Sequence, residues 1–578
     1  MRSPLLSGDT LTESFLHHTR VSPEAVVAFP GSEERITGAQ LAESSLRCAH
    51  GLLEHGVGPG TVVGLLVPTD ARFLSLFFGA QRAGAACSVL PLPAGFGDEE
   101  GTARRLARVL RVAGIRHLVL GAAFESLGSL LAERVPGLVL IDPAVSAPGA
   151  ESGLPGVDPD ALSVVQFTSG STSAPKGVQL SQRTMAAGVR ACVVSGGFSP
   201  DDVFMQWVPT FHDMGLVGLF SHLLNGAEVH VFTPTAFLRR PAQLLAYFAE
   251  HRGTIITGPN FSYDQFVDAA PPELVKELDL SAWRLAFNGA EPVSARTVER
   301  FTDHLAPAGL RDTVMYPVYG MAEATLGITF PEPGSKPRVL ALDREELAAT
   351  GRVVPVPRGA RGAKDAVALG TPVHGLDLRL VAEDGHVCAP GELGEVQIAG
   401  PAVTSGYYNA PEATAAAFDG RWFRTGDIGF RHGGELFVTG RTKEMVIVRG
   451  QNYFPDDIEA VAREVPGVYR QRCVAFSDAT EEGHEVVRVV AEAEPKRADA
   501  GLEAEIAARV AREMDFTDVR VHLVKPRWIS RTTSGKWQRA RTRERLAELT
   551  DAGAASPATG TATATTTTTA RTEPEDTP

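Results

Sequence analysis

Cysteine is scarce in this chain of 578 residues. Its five copies (Cys48, Cys87, Cys192, Cys388 and Cys473) are odd in number and never spaced C-x-x-C. That pattern fits neither a disulfide framework nor a zinc site and points to a reducing, cytoplasmic setting. Long apolar runs are absent: nothing approaches the roughly 18 residues of a membrane span. Met1–Thr10 holds only a two-leucine run, so no signal peptide is expected. Positive charge is not in excess either. The 55 basic side chains are outnumbered by 69 acidic ones, for a net charge of −14. This argues against sequence-independent nucleic-acid binding, where affinity comes from neutralised phosphates. Lysine is rare, with eight copies among the 55 basic residues. Where lysine is rare, its placement is informative.

What is present is ordinary globular material, 44% hydrophobic and 21% charged, which excludes a largely disordered chain. At about 150 residues per domain, the length suits three or four structural units. The N-terminal third alternates apolar runs with helical spacing: Thr61–Pro68 as strand, Ala71–Ala83 as helix, Ser88–Leu92 as strand, Glu100–Ala113 as helix, His117–Leu120 as strand. The alternation resumes at Glu228–Phe232, Arg252–Ile256 and Arg284–Phe287, and predicts an α/β fold with a parallel sheet. From Gly370 the runs shorten (Asp377–Val381, Gly394–Ile398, Glu435–Val438, Met445–Val448), which reads as a small β-rich region. From Arg441 a compact α+β segment follows, with strands near Val474–Phe476 and Val486–Ala493 and helices near Asp456–Val465 and Leu502–Glu513. The end of the chain, carrying TATATTTTTA, reads as a disordered tail or linker over residues 550–578.

The strongest local signal is VVQFTSGSTSAPKGV at Val164–Val178. An apolar strand runs into Thr168, Ser169, Gly170, Ser171 and Thr172, then Lys176. Glycine lets backbone N–H groups approach an anion, hydroxyls donate further hydrogen bonds, and lysine adds a positive charge. This is the chemistry of a polyphosphate loop. It is not a Walker loop, because Gly177 follows Lys176. A plain Ser/Thr/Gly linker is the competing reading, and the apolar runs on both sides count against it.

This loop resembles the phosphate-binding motif of the adenylate-forming superfamily of acyl-CoA synthetases, nonribosomal adenylation domains and luciferases. Five further segments resemble that family in its own order. Asn288–Pro292 (NGAEP) matches the segment bordering adenine, through Asn288, Gly289, Ala290 and Glu291. Tyr319–Leu326 (YGMAEATL) matches a Tyr-Gly-x-Thr-Glu motif: the resemblance puts Tyr319, Gly320 and Met321 against the nucleotide and Glu323 on Mg²⁺, with Ala322 replacing the threonine. Trp422–Gly429 (WFRTGDIG) supplies Asp427 for the ribose hydroxyls. Gly440–Gly450 (GRTKEMVIVRG) matches the interdomain hinge, with Arg441 near the nucleotide and Lys443 at the pivot. Ser534–Arg539 (SGKWQR) matches the loop of the catalytic lysine, Lys536. The resemblance spans residues 164–539. It implies an N-terminal body over 1–440, built of two parallel α/β subdomains and a β-rich one, followed by a mobile α+β domain over 441–549. It also implies ATP and Mg²⁺ as cofactors. Lys176 would stabilise departing pyrophosphate, and Lys536 would touch carboxylate and α-phosphate together.

Within the superfamily, Trp207–Gly218 (WVPTFHDMGLVG) is similar to the fatty acyl-AMP ligases, and His212 falls where an aromatic residue sits beside the acyl carboxylate. A hydrogen-bonded structural histidine is the alternative for His212. PNFSYD at Pro259–Asp264 and RTTSGKWQR at Arg531–Arg539 resemble the same branch. So does an insertion-like segment over 331–366, which in that branch is thought to pack on the N-terminal body and restrain the C-terminal domain. The function implied is activation of a fatty acid with ATP and transfer of the acyl group to the phosphopantetheine thiol of an acyl carrier protein. No nucleic acid and no membrane span are involved in that reading. An acyl-CoA synthetase of the same fold is the nearest alternative, and a catalytically silent carrier-binding module a more distant one.

Overall fold

Short apolar runs feeding amphipathic helices build two mainly parallel sheets in the computed structural model. It describes residues 7–92, 99–168, 176–441, 444–448, 451–479, 485–494, 497–514, 519–531 and 537–553. The chain divides into two compact units. One comprises Met1–Leu340 and Asp365–Val438, the other Ala341–Lys364 and Thr439–Pro578.

The first unit holds a seven-stranded sheet in the order Met315–Pro317, Leu285–Asn288, Ile255–Gly258, Val203–Gln206, Glu228–Val231, Val26–Phe29, Glu34–Thr37. All neighbours are parallel except the last pair, a hairpin at the edge. A six-stranded sheet runs Val139–Ile141, His117–Leu120, Val62–Leu66, Ala86–Val89, Leu162–Thr168, Lys176–Ser181, again parallel except for its final hairpin. The helix Ala71–Arg82 reads apolar all round (ARFLSLFFGAQR) and is buried at almost every position, as an interior helix should be. Asp70 caps it by accepting from the Phe73 N–H. Its Phe77 and Phe78 meet Phe220 of the helix Asp213–Leu223 at 4.7 and 5.1 Å, and Phe15 stacks on Phe78 at 4.0 Å. These side chains join one core, each fully buried ring contributing roughly 1.5–3 kcal/mol. The β-rich part is an antiparallel sheet of Asp377–Val381, Gly394–Ala399, Trp422–His432 and Phe418–Asp419, with Glu435–Arg441 beside Trp422–His432.

The parallel α/β class expected from the alternation is what forms. Several strands depart from their expected bounds: Ser88–Leu92 forms as Ala86–Val89, and Arg252–Ile256 starts instead at Ile255. Arg252 takes a positive φ of 48°, and the Gly253 N–H closes on the Phe248 carbonyl, so these residues end the preceding helix rather than begin a strand.

In the second unit, Val468–Ala479, Glu485–Ala493 and Val519–Val524 form a three-stranded sheet covered by Pro455–Arg463 and Ala500–Met514. Part of the insertion-like segment, 341–364, belongs to this unit. Its helix Arg344–Thr350 is capped by Asp343 and closed by Gly351 at φ 69°. Ala348 packs on the unit's core, and Arg344 reaches the Glu513 carbonyl. Lys364 pairs with Asp457 at 2.8 Å and lies 4.5 Å over the Phe454 ring. The expected tail begins at residue 550, within the helix Arg539–Gly553. The remainder of the expected tail, 554–578, lies outside the described residues.

Candidate active site

The order of the seven-stranded sheet reverses at Val203–Gln206. The chain passes from it to Glu228–Val231 on one side and then to Ile255–Gly258 on the other. Such a reversal leaves a crevice outside the carboxyl ends of the strands. Four of the segments singled out in the sequence leave those ends: residues 207–212, 259–264, 289–292 and 318–323.

The first is braced from two directions. The Gln206 side-chain amide donates to the Val208 and Gly215 carbonyls, and Gln166, from the other sheet, donates to the Phe211 carbonyl at 2.6 Å. Gly215 is required, because a Cβ there would collide with the Pro209 carbonyl. Trp207 is buried and stacks on Phe237 at 4.0 Å. His212 stands at the N-cap of Asp213–Leu223 without capping it, its ring 4.5 Å from Phe211.

Asn288 ends its strand fully buried. Its side-chain amide donates to Asn260 at 3.2 Å, and its side-chain Oδ1 finds no partner among the described residues. A Cβ at Gly289 would lie 2.9 Å from Val318, and Ala290 turns the chain at φ 65°. Glu291 accepts from the Phe261 N–H at 2.7 Å, which ties this segment to the one at 259–264.

Tyr319 and Glu323 flank a tight turn. A Cβ at Gly320 would strike the Leu326 carbonyl, and Thr325 holds φ 63°, its hydroxyl donating to Ala402. The Tyr319 hydroxyl donates to Asp427 Oδ2 at 2.5 Å. The Tyr407 hydroxyl donates to Glu323 Oε1 at 2.9 Å, and the Glu323 carbonyl accepts from the Thr404 N–H. Both carboxylates are buried, at 7% and 4% exposure. A neutral hydroxyl bonds a carboxylate but does not itself cancel its charge, so both groups suit cationic or hydroxyl-bearing ligands. Lys176 Nζ lies 4.9 Å over the Tyr407 ring. Lys176 also pairs with Thr168 across the base of the hairpin whose tip is the Ser/Thr/Gly loop.

Tyr407 thus joins Lys176 to Glu323, which Thr404 also holds, while Tyr319 pairs with Asp427 directly; sequence reasoning passed over Tyr407, Thr404 and Gln166. A tyrosine in GYYN at 406–409 carries no chemical signature of its own. Ser169, Gly170, Ser171, Thr172, Lys443 and Lys536 lie outside the described residues, as does the Thr168 side chain. Arg441 is exposed at the end of its strand.

The second unit contains a charge network that the sequence did not flag. Arg539, three residues past Lys536, pairs with Glu459 at 2.7 Å, Glu444 at 2.5 Å and Asp456 at 2.6 Å. Arg463 pairs with Glu459 at 2.7 Å, and the Ala475 N–H donates to it at 3.0 Å. Burial pushes Asp456 up, but Arg539 and Arg463 outweigh it and hold the carboxyl below its ordinary range. At Glu459 burial wins and the carboxyl is raised.

The family model described as "AMP-binding enzyme" matches residues 15–408. The medium-chain-fatty-acid–[acyl-carrier-protein] ligase JamA of Moorena producens (strain JHB) is 34% identical, over 84% of this chain and 86% of that protein. The long-chain-fatty-acid–AMP ligase FadD26 of Mycobacterium marinum (strain ATCC BAA-535 / M) is 32% identical, over 89% and 92%. Among solved structures, one from work on fatty acyl-adenylate ligases of E. coli and L. pneumophila superposes with a TM-score of 0.86 at 27% identity, covering 96% of this chain and all of that one. The L. pneumophila fatty acyl-adenylate ligase with acyl adenylate and pyrophosphate superposes with a TM-score of 0.73 at 28% identity, over 94% and 97%. Among the described residues, no helix is long and apolar enough to cross a membrane.

Proposed function

Because the chain belongs to the AMP-binding enzyme family, we propose that it joins a fatty acid to the AMP of ATP and passes the acyl group to the phosphopantetheine thiol of a carrier protein. In the first step a carboxylate oxygen attacks the α-phosphorus. The α–β P–O bond breaks and pyrophosphate leaves with the electron pair. In the second the thiol sulfur attacks the acyl carbon, the bond to AMP breaks, and the thiol proton passes to solvent. The observation that carries the reading is the pair of buried carboxylates: Glu323 on Tyr407, in the turn beyond a parallel strand, and Asp427 on Tyr319, in the strand Trp422–His432 of the antiparallel sheet.

A carboxylate is a poor nucleophile toward an anionic phosphate, so the protein must neutralise charge and align the reactants. Asp427 accepts the ribose hydroxyls and Tyr319 lies along the adenine, with Asn288, Gly289, Ala290 and Glu291 at its border and Gly320 and Met321 beside it. The loop Thr168–Thr172 and Lys176 hold the pyrophosphate end. His212 faces the acyl carboxylate. Arg441 approaches the nucleotide, Lys443 is the pivot, and Lys536 bridges carboxylate and α-phosphate. Glu323 fits Mg²⁺, since a buried carboxylate offers the hard oxygen that this ion requires. Bound there, the ion would lower the negative charge on the phosphate oxygens. The acceptor assignment is supported by relatives named as acyl-carrier-protein ligases. Five free cysteines are consistent with a cytoplasmic enzyme.

The test is a panel of carboxylic acids with ATP and Mg²⁺, scored for acyl-AMP, followed by CoA or a phosphopantetheinylated carrier. Acyl-AMP should accumulate with CoA and discharge onto the carrier. Efficient acyl-CoA synthesis would overturn the acceptor assignment, and no acyl-AMP from any acid would overturn the activity.

A further inference from the structure

The hairpin joining Asp377–Val381 to Gly394–Ala399 brings together four side chains that play no part in the adenylation site. His386 Nδ1 lies 2.6 Å from Asp384 Oδ1, and His386 Nε2 lies 3.2 Å from Glu392 Oε2. Cys388 faces the same point: the ligand atoms of His386, Cys388 and Glu392 all lie within 4.8 Å of one another. The backbone fixes this arrangement. Val381 bridges Val387, Cys388 N–H donates to the Leu380 carbonyl, and Ala389 N–H donates to Glu392 at 2.9 Å. Gly394 makes room for the thiol, since a Cβ there would lie 2.5 Å from Cys388 Sγ. The sequence reading set zinc aside because the cysteines never pair. The fold supplies a histidine and a carboxylate in place of a second cysteine.

We propose that His386, Cys388 and Glu392 form a binding site for a borderline-soft divalent cation of the zinc class, with Asp384 orienting the histidine. One imidazole nitrogen, one thiolate and one carboxylate oxygen are a three-ligand zinc set that leaves a fourth position for water. Bond lengths of about 2.0–2.3 Å place tetrahedral ligands roughly 3.4–3.7 Å apart, so the side chains need only small rotations to close. With a cation bound, Asp384 accepting from Nδ1–H would leave the Nε2 lone pair, now beside Glu392, to bind it. This is the carboxylate–histidine–metal relay common around zinc. Thiolate and imidazole together disfavour Mg²⁺, so this site does not compete with the nucleotide's ion. The Gly391 N–H donates to the Arg431 carbonyl of the strand Trp422–His432, which also carries Asp427.

The probe is Co²⁺ titrated into the full chain after chelator treatment, followed by sulfur-to-metal charge-transfer absorption. One equivalent should develop the band, and Zn²⁺ should displace it. The other four cysteines are buried, which makes the band diagnostic of Cys388. Cys388→Ser should abolish it, and Asp384→Ala should weaken binding roughly 10–100-fold, both with acyl-AMP formation at saturating Mg²⁺ unchanged. In the unmodified chain, Zn²⁺ should slow alkylation of Cys388, mapped by mass spectrometry, and His386→Ala should remove that protection. No band, a band that survives Cys388→Ser, or alkylation indifferent to Zn²⁺ would overturn the proposal.

Discussion

In the first unit the carboxylates of the candidate site, Glu323 and Asp427, are buried beside the neutral hydroxyls of Tyr407 and Tyr319, in turns and strands at the rim of a sheet. In the second unit Glu459 is buried as deeply, but it sits in the core against two arginines, and Asp456 and Glu444 complete the shell around Arg539. The same residue types serve opposite ends. A carboxylate that accepts from a tyrosine hydroxyl at the edge of a crevice can also accept from a ligand. A carboxylate wrapped in guanidinium holds helix to strand and has nothing left to offer a substrate. Proximity of a buried charge to a segment proposed to be catalytic is therefore a poor guide to its role: Arg539 lies in SGKWQR yet points into the core of its own unit.

Breaking the network should have the largest effect. Arg539→Met leaves buried carboxylates without their cation and should cost about 3–5 kcal/mol. Hydrogen exchange would show protection lost in Pro455–Arg463 and Val468–Ala479, with the parallel sheets of the first unit unaffected. Unchanged protection would mean that the network does not hold the second unit together. Lys536→Ala should lower acyl-AMP formation by roughly two to three orders of magnitude, the size of a charge-assisted transition-state contact. It should spare most of the transfer from supplied acyl-AMP. Equal losses in both steps would remove Lys536 from its adenylation role. For Glu323→Gln, adenylation should fall by roughly one to two orders of magnitude, as for a lost contact to a charged group, with partial recovery at high Mg²⁺. An unaltered Mg²⁺ dependence would transfer that ligand role elsewhere.

A smaller effect sharpens the contrast inside the first unit. His222 lies stacked between Phe198 at 4.1 Å and Phe204 at 3.9 Å. Burial lowers its pKa to about 3. The unfolded chain takes up this proton near pH 6.5 and the folded chain does not until about pH 3. Its contribution is thus fully present above pH 6.5 and declines as pH falls through that window, by at most about 1.4 kcal/mol per pH unit. His222→Phe should flatten the stability–pH curve between pH 6.5 and 4 in denaturant melts. An unchanged slope would mean that His222 does not report on the interior.

The sequence carried more of the fold than of the site. Apolar runs located four strands of the six-stranded sheet but three of the seven-stranded one, missing Val26–Phe29, Glu34–Thr37, Val203–Gln206 and Met315–Pro317; His117–Leu120 and Asp377–Val381 begin and end where the pattern ends. Tyr319, Glu323 and Asp427 were singled out by the resemblance to the adenylate-forming superfamily, through motifs in that family's order that are each weak alone. What the pattern could not carry was contact between distant positions. Tyr407 lies 84 residues from Glu323, and Gln166 lies 45 residues from Phe211. Nothing local in either segment signals the partner. The insertion-like segment is a similar case. Nothing local signals the pairing of Lys364 with Asp457 across 93 residues.

The central claim is that the rim carboxylates of the first unit are kept for the nucleotide and not for the fold. Asp427→Asn tests it most directly, because an amide oxygen still accepts the Tyr319 hydroxyl while the charge is gone. ATP binding by calorimetry, read beside the melting temperature of the unliganded protein, separates the two roles. ATP should bind roughly 10–100-fold more weakly, with the melting temperature equal to or above that of the parent chain. Unchanged ATP affinity, or a clear drop in the unliganded melting temperature, would contradict the claim.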